Sequence, residues 1–114
     1  MAGPRLAAAA QVVDDLAAAG ITATTDPTFA ATNRPCVLIA PPALDYAGGT
    51  YAGPAVGWRL VCLSSHPAGS LAAWAQLDEL VEQLAGVAAV ERADPISYQL
   101  GTETVPAYLA TATD

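Results

Sequence analysis

The sequence contains no lysine and only one histidine and one methionine, and its four arginines face eleven acidic residues. The formal net charge of −7 argues against direct nucleic-acid binding, because phosphate backbones need clustered cations. The same shortage disfavours binding to anionic membrane surfaces. An acidic surface would suit the lining of a channel through which DNA passes without binding, because like charges repel phosphate. It would equally serve to keep the protein soluble. The composition leaves both interpretations open.

Motifs for catalysis, cofactors and metals are also missing. Ser64-Ser65-His66 places hydroxyls beside an imidazole, but no glycine elbow surrounds the serines, so a polar strand end is predicted. Asp14-Asp15 and Asp78-Glu79 are neighbours on helices, and their carboxylates should point in different directions. No Cys-x-x-Cys motif predicts a metal, and no lysine follows Gly48-Gly49. We therefore predict no enzyme, no catalytic residue, no cofactor and no metal.

Neither a signal peptide nor a membrane-spanning segment is indicated. Gln11, Asp14 and Asp15 interrupt the alanine-rich start. No window approaches the roughly 18 apolar residues of a transmembrane helix. We therefore expect a soluble protein that is made in a cytoplasm and has no membrane partner.

The sequence does have a large apolar fraction, since 54% of its 114 residues are hydrophobic and only 13% are charged. This suffices for one domain spanning residues 1–114. Residues 55–65 form the longest strand-like run, with apolar residues on both faces. We predict a central strand, covered by helices on both sides or by helices on one side and another subunit on the other. One face carries Trp58, Leu60 and Cys62, and the other carries Val61 and Leu63.

Two amphipathic helices are predicted. Residues 5–19 are strong helix formers that end at a left-handed Gly20, and Ser70 caps a second helix that Gly86 ends. The residues predicted to face inward are Leu6, Ala9, Ala10, Val13, Leu16 and Ala17 in the first helix and Leu71, Trp74, Leu77, Val81 and Leu84 in the second.

Four further strands are predicted from short β-branched or apolar runs, at residues 21–25, 36–40, 96–100 and 104–113. Pro106 should place the last one at a sheet edge, or at least at an end, because proline cannot donate to a ladder. The order predicts an α+β fold: a two-layer sandwich whose mixed, mostly antiparallel sheet of four to five strands carries both helices on one face.

Cys36 and Cys62 both lie in apolar, strand-like runs, where a cysteine is usually a small buried hydrophobe. A disulfide between them is possible if their strands are neighbours. Between the predicted elements, residues 28–35 should form a loop with Phe29 anchored in the core. Residues 87–90 are either an extra helical turn or a link.

The longest connection, residues 41–54, begins with Pro41-Pro42, which should stop the preceding strand. Long loops within compact domains are often functional, and this one contains two tyrosines that suit a contact surface. The alternative is an ordinary hairpin connection whose tyrosines cover the edge of the core. On the functional interpretation, the predicted interaction residues are Pro41, Pro42, Asp45, Tyr46, Tyr51 and Arg59.

A family resemblance depends on the order and spacing of short patterns along nearly the whole chain. The patterns are Ala-Ala-Gly-Ile at 18–21, Asp26-Pro27, the apolar strand that closes on Pro41-Pro42, Gly-Pro-x-x-Gly-Trp at 53–58, Trp74-x-x-Leu77-Asp78, a strand with Tyr98, and Val105-Pro106-Ala107-Tyr108. In this arrangement the chain resembles the tail terminator (tail-completion) proteins of long-tailed bacteriophages, especially those of actinobacterial hosts.

The resemblance implies a structural virion protein with a small α/β sandwich fold. Such proteins form a hexameric ring on the last ring of tail-tube protein, end tube polymerisation and offer a docking surface to the head connector. DNA passes through the lumen without specific binding, and Asp45 is a candidate lumen charge. The implied location is the head–tail junction, after assembly in the host cytoplasm, and no catalytic residue or cofactor is implied.

Three alternatives to a tail terminator remain. Head-completion and connector proteins of the phage neck have similar patterns. Small α+β domains also bind amino acids or nucleotides as regulators, which would need a polar pocket at a dimer interface. A hydrolase using Ser65 and His66 ranks last, because the residues around them lack the remaining parts of such a site.

Overall fold

The computed structural model describes residues 4–45, 55–66, 69–100 and 102–113. These residues form three helices and five strands. In chain order they are α1 (Pro4–Ala18), β1 (Ala23–Thr24), α2 (Pro27–Thr32), β2 (Cys36–Asp45), β3 (Ala55–Leu63), α3 (Leu71–Ala85), β4 (Val90–Leu100) and β5 (Glu103–Thr113). The predicted α+β class is confirmed.

All five of these strands belong to one mixed sheet with the order β1-β2-β3-β5-β4. β1 and β2 pair in parallel, and the pairs β2–β3, β3–β5 and β5–β4 are antiparallel. The predicted mixed, mostly antiparallel sheet is therefore confirmed. β3 is its central strand, as the apolar residues on both of its faces indicated.

Two connections join parallel strands: α2 lies between β1 and β2, and α3 leads from β3 past β5 to β4. Both connections step sideways in the same direction, but β3 and β4 run opposite to β1 and β2. Connections of one hand must then place their helices on opposite faces, and nearly all such connections are right-handed. The strand order thus explains why α2 and α3 lie on different faces.

The first face of the sheet, defined here as the face that α1 and α3 cover, carries the larger core. Both helices contribute buried residues to it, which confirms the prediction of two helices on one face. Its buried members include Ala9 and Leu16 of α1, Leu77, Leu80 and Leu84 of α3, and Val37, Ile39, Trp58, Leu60, Cys62, Ala110 and Ala112 of the sheet.

The opposite, second face carries a smaller core beneath α2. Helix α2 contributes one buried residue, Ala30, which packs in the same cluster as Cys36 at the start of β2. The other buried members come from the sheet and are Leu38, Val61, Leu63, Leu100, Val105 and Ala107. The sequence did not predict this helix on the far side of the sheet.

The prediction of a loop at residues 28–35 is wrong, because residues 27–32 form the helix α2. The Asp26 side chain accepts a hydrogen bond from the Thr28 backbone N–H at 2.9 Å, and Pro27 occupies the first turn. Asp-Pro therefore begins a helix here instead of only ending a strand. The predicted core anchor is also wrong, since Phe29 is 44% exposed while Ala30 is fully buried.

The predicted caps of the two longer helices are confirmed, and the inward stripe of α3 is confirmed for Leu77, Val81 and Leu84 but not for Leu71 and Trp74. Gly20 has φ +84° after α1, and the Ser70 side chain accepts from the Ala73 N–H at 3.1 Å. Leu71 and Trp74 are 79% and 64% exposed. The buried residues of α3 are Ala73, Leu77, Leu80 and Leu84. Compared with the predicted stripe, the buried side of the helix is rotated so that it includes Ala73 and leaves out Trp74.

In α1, the buried side is likewise narrower than predicted. Ala9 and Leu16 are buried and Val13 packs against them, whereas Leu6 is 55% exposed and Ala10 and Ala17 are exposed. Small alanines at the helix surface made several stripes equally plausible from the sequence, and packing against β2 selected one.

The prediction that Pro41-Pro42 stops the strand is wrong, because β2 continues through both prolines to Asp45. The pairing with β3 becomes irregular there: Ala40 lies opposite Arg59, and Ala43 lies opposite Gly57. Two prolines thus occupy a β-bulge, a place where missing ladder donors are tolerated.

Pro106 does not place β5 at a sheet edge, since β5 lies between β3 and β4. The alternative expectation, a strand end, fits better. The Pro106 carbonyl accepts from the Ser64 N–H at 3.2 Å, one residue beyond the end of β3. The missing N–H therefore faces the position where the neighbouring strand has already ended.

The fourth strand is longer than predicted. β4 spans Val90–Leu100 and includes Pro95, so the predicted strand at 96–100 is only its second half. Residues 87–89 form the link between α3 and β4. Because β4 is an edge strand, one side of its ladder is unpaired and tolerates a proline.

Candidate interaction surfaces

The predicted interaction residues fall into three places. Pro41 and Pro42 lie in the bulge of β2. Asp45 is the last residue of that strand and pairs with Ala55 through the backbone. Tyr46 and Tyr51 lie outside the described residues. Arg59 lies apart from all of these, exposed on the second face of the sheet.

Pro41 and Pro42 line a groove of about 300 Å³ between the start of α1 and the open end of β2. Leu6, which is 55% exposed, lies on the helix side of this groove. The groove is mostly apolar and lies beside the part of β2 that extends beyond its pairing with the two-residue β1. Its remaining lining residues are Ala9, Thr25, Ile39 and Ala40.

Arg59 is central to what we call the open end of the second face. It lies between Ala40 of β2 and Thr111 of β5 in the ladder, and Arg92 is the next residue across, opposite Thr111. Arg92 makes a 2.8 Å ion pair with Asp94. Arg59 has no ion pair among the described residues, so its guanidinium is available to a partner. The open end comprises Ala40, Arg59, Arg92, Asp94, Leu109 and Thr111.

A second surface, which the sequence did not predict, lies at the N-terminal half of α3. Leu71 and Trp74 border an apolar groove of about 480 Å³ between α3 and the β4–β5 pair. Tyr108 and the prolines Pro95 and Pro106 form the floor on the sheet side. An exposed tryptophan beside proline and tyrosine is typical of binding surfaces. The signal in the sequence was the 4-3-4 spacing of Ala73, Leu77, Leu80 and Leu84, which competed with the stripe that includes Trp74.

The polar strand end predicted at Ser64-Ser65-His66 is confirmed. Ser64 is fully buried, and its Oγ donates to Gln76 Oε1 at 2.8 Å and accepts from the His66 backbone N–H at 3.1 Å. The Ser65 N–H also donates to Gln76 Oε1 at 2.8 Å, and Gln76 Nε2 donates to Ser65 Oγ at 3.0 Å. Gln76 is neither an acid nor a base, so this cluster ties α3 to the end of β3 without activating either hydroxyl.

Cys36 and Cys62 lie on adjacent strands, but they do not form a disulfide. Cys62 pairs with Val37, one residue after Cys36, so the two thiols point to opposite faces of the sheet. Burial raises the pKa of the Cys62 thiol to about 12, with a smaller contribution from Cys36. Burial also raises the pKa of Cys36, partly offset by Arg34. Both are therefore inert buried thiols.

Charges are distributed unevenly between the two faces of the sheet. On the first face, α1 carries Asp14 and Asp15, and α3 carries Asp78, Glu79 and Glu82, all exposed. On the other side, Arg34 makes a 3.2 Å ion pair with Glu103, and Arg59 and Arg92 occupy the open end of the second face. Across the described ranges, no three potential metal ligands cluster.

None of the helices in the described part of the chain is long and apolar enough to span a membrane. Comparisons of the chain with known protein families, with curated proteins and with solved structures found no match. The function must therefore be inferred from the surfaces above and from the residue pattern of the sequence.

Proposed function

We propose that this protein is a structural component of a bacteriophage tail. In this proposal, copies of the chain form a ring at the head-proximal end of the tail tube, end its polymerisation and offer a surface to the head connector. The single observation that carries the proposal is the exposed apolar surface of α3, where Leu71 and Trp74 are 79% and 64% exposed beside a groove. Large apolar side chains gathered on a monomer's surface mark an interaction site.

The distribution of charge supports the same proposal. Five carboxylates lie on the helices of the first face, and the sequence contains no lysine with which to hold phosphates. A lumen lined by α1, with its exposed Asp14 and Asp15, would repel the DNA backbone and let it pass without specific binding. The proposed location is the head–tail junction of the virion, after assembly in the host cytoplasm.

The test begins with the purified full chain. Its mass is measured across a wide concentration range, the same sample is imaged by negative stain, and isolated tail tubes are then added. The expected result is a ring with a central hole that caps one end of the tubes and stops their elongation. Rings that bind the portal or its adaptor but ignore tubes would instead make this a head-completion or connector protein of the neck. A protein that neither forms rings nor caps tubes would refute the proposal.

Variants on α3 connect this test to the structure. Trp74→Ser should weaken ring formation or tube capping, because it removes the largest exposed apolar side chain of the described residues. Gln83→Ala, on an exposed site of the same helix, serves as the matched control and should leave both unchanged. Equal behaviour of the two variants would contradict a role for the α3 surface.

A second candidate is a small ligand-binding domain, which the groove beside Trp74 favours. Its volume of about 480 Å³ is in the range of small-molecule sites. The lining is mostly apolar, so an apolar or aromatic ligand fits better than a charged amino acid or nucleotide. A thermal shift on adding such ligands, lost in Trp74→Ser, would support this function, since a ligand that binds only the folded state stabilises it.

A further inference from the structure

The exposed side of α3 combines apolar residues and carboxylates along one line. At 100° per residue, Leu71, Asp78 and Glu82 lie within about 40° of one another, on the side of the helix away from the buried stripe. Trp74 borders the same line on the side of the groove. Asp78 and Glu82 have no ion pairs among the described residues. Any partner of this stripe must offer both an apolar contact and a positive charge.

The open end of the second face offers both. Arg59 is exposed and without an ion pair within the described part of the chain, and its neighbours on the same face include the half-buried Ala40, Leu109 and Thr111. Helix α2 lies over the other end of this face, near Leu100 and Tyr98. Arg59 therefore lies in a row of the sheet that α2 leaves free.

The edges of the sheet are poor sites for association. Ser64 N–H donates to the Pro106 carbonyl, so even-numbered residues of β5 point their backbone groups toward β3 and odd-numbered ones toward β4. The register then turns Pro95 of β4 outward, where its missing N–H interrupts the free edge. On the other edge, the Val37 N–H donates to Thr22 O, and the same alternation turns Pro41 outward. These prolines favour association through the faces of the sheet over extension of the sheet.

We propose that α3 of one copy packs on the open end of the second face of the next copy. Leu71 and Trp74 would cover the apolar residues around Leu109, and Asp78 and Glu82 would face Arg59. Because α3 and Arg59 lie on opposite faces of one chain, each copy offers both halves of the contact. Such a contact is heterologous: it closes into a ring or continues as a filament, and it does not form a two-fold dimer. The contact rests on the self-association that the proposed function requires, but it needs no tail component.

A charge-swap experiment tests this contact. Arg59→Glu and the double variant Asp78→Arg/Glu82→Arg each place like charges across the contact, and each should weaken self-association by about tenfold or more in Kd. All three positions are exposed, so thermal unfolding of each variant should match the wild type. Arg59→Gln should have a smaller effect than Arg59→Glu. Asp14→Arg, a charge change on α1 away from the contact, is the control and should associate normally.

Mixing the two charge-swapped proteins gives the sharpest result. In a mixture, the acidic α3 of the Arg59→Glu protein can pack against Arg59 of the double variant. The basic α3 of the double variant can pack against the new glutamate of the Arg59→Glu protein, so both contacts pair opposite charges. Association should therefore return, and any closed ring should contain an even number of copies. Sedimentation velocity and native mass spectrometry measure this directly. A wild-type monomer at the highest attainable concentration, unchanged association of Arg59→Glu, or a mixture that stays dissociated would each overturn the proposal.

The outcomes also separate this contact from the proposed function. Wild-type rings that cap tubes but are insensitive to Arg59→Glu would overturn the contact and leave the function intact. Charge-dependent rings that ignore tubes would refute the function and leave the contact intact. Duplex DNA that binds through Arg59, with no effect of Arg59→Glu on self-association, would overturn the contact in favour of a phosphate ligand.

Discussion

Gln76→Ala should destabilise the protein far more than its position on a helix surface indicates. The Gln76 side chain accepts hydrogen bonds from Ser64 Oγ and from the Ser65 N–H, both at 2.8 Å, and donates from Nε2 to Ser65 Oγ. It is the only side chain in the described ranges that joins α3 to the end of β3 through such hydrogen bonds. Its removal leaves the Ser64 hydroxyl without its acceptor.

The magnitude follows from the burial of each partner. Ser64 is fully buried, and an unsatisfied buried hydroxyl costs about 1–3 kcal/mol. Ser65 is exposed, and its lost bonds cost about 0.5–1 kcal/mol in total. The expected loss in unfolding free energy is therefore about 1.5–4 kcal/mol. For 114 residues the unfolding entropy is about 0.24 kcal/mol/K, so the melting temperature should fall by about 6–17 °C.

Urea unfolding followed by circular dichroism measures this loss, with Gln83→Ala as the matched control. Gln83 is exposed on the same helix, so its change to alanine should cost less than about 0.5 kcal/mol. Ser64→Ala combined with Gln76→Ala should cost less than the sum of the single changes by about 1 kcal/mol. A Gln76→Ala variant as stable as Gln83→Ala would refute the reasoning.

Three further predictions test the orientation of α3, the backbone conformation at Gly20 and the buried thiol of Cys62. Leu84→Ala should cost about 2–5 kcal/mol in urea unfolding and Leu71→Ala less than about 0.5, because Leu84 is buried and Leu71 is exposed; similar costs would contradict the orientation of α3. Gly20→Ala should cost about 1–2 kcal/mol, since its φ of +84° strains any side chain although no atom lies near an added Cβ; an unchanged stability would contradict this conformation. The thiol of Cys62 has its pKa raised from 9.0 to about 12, so the unfolded chain loses this proton first and stability should fall above about pH 9, by up to about 1.4 kcal/mol per pH unit. Cys62→Ala should flatten the stability curve measured from about pH 8 to 10.5, and identical curves would contradict the shift.

Predictions that depended on local chemistry succeeded best. Gly20 and Ser70 marked helix ends correctly, because a left-handed turn and an N-cap are decided within a few residues. The apolar residues on both faces of β3 identified the central strand, because a strand that is apolar on both faces must be covered on both sides. The fold class followed from these elements and their order.

Predictions about orientation failed where alanine is abundant. Both Leu71/Trp74 and Ala73/Leu80 continue a helical stripe through Leu77, and only contact with the sheet decided that the alanine side is buried. Phe29 was likewise predicted to lie in the core, whereas its neighbour Ala30 is the buried residue of α2. At both places packing against the sheet buries the alanine and leaves the adjacent aromatic side chain exposed.

The places that prolines occupy in the sheet could not be predicted, because the effect of a proline depends on the neighbouring strand. Pro41 and Pro95 lie within strands, but their missing donors face free edges, and Pro106 lies inside the sheet where β3 has already ended. No local pattern contains that information. The same holds for Arg59, whose neighbours Ala40 and Thr111 follow from the register of three strands.

By itself, the sequence determined the charge, the α+β class, the two long helices and the central strand of this protein, since composition, caps and periodicity act over short stretches of chain. The tertiary structure alone decided that α2 covers the second face, that Trp74 is exposed, and that the acidic stripe of α3 and Arg59 lie on opposite faces. These features depend on strand order and on the common hand of two connections, which bring together residues far apart in the chain.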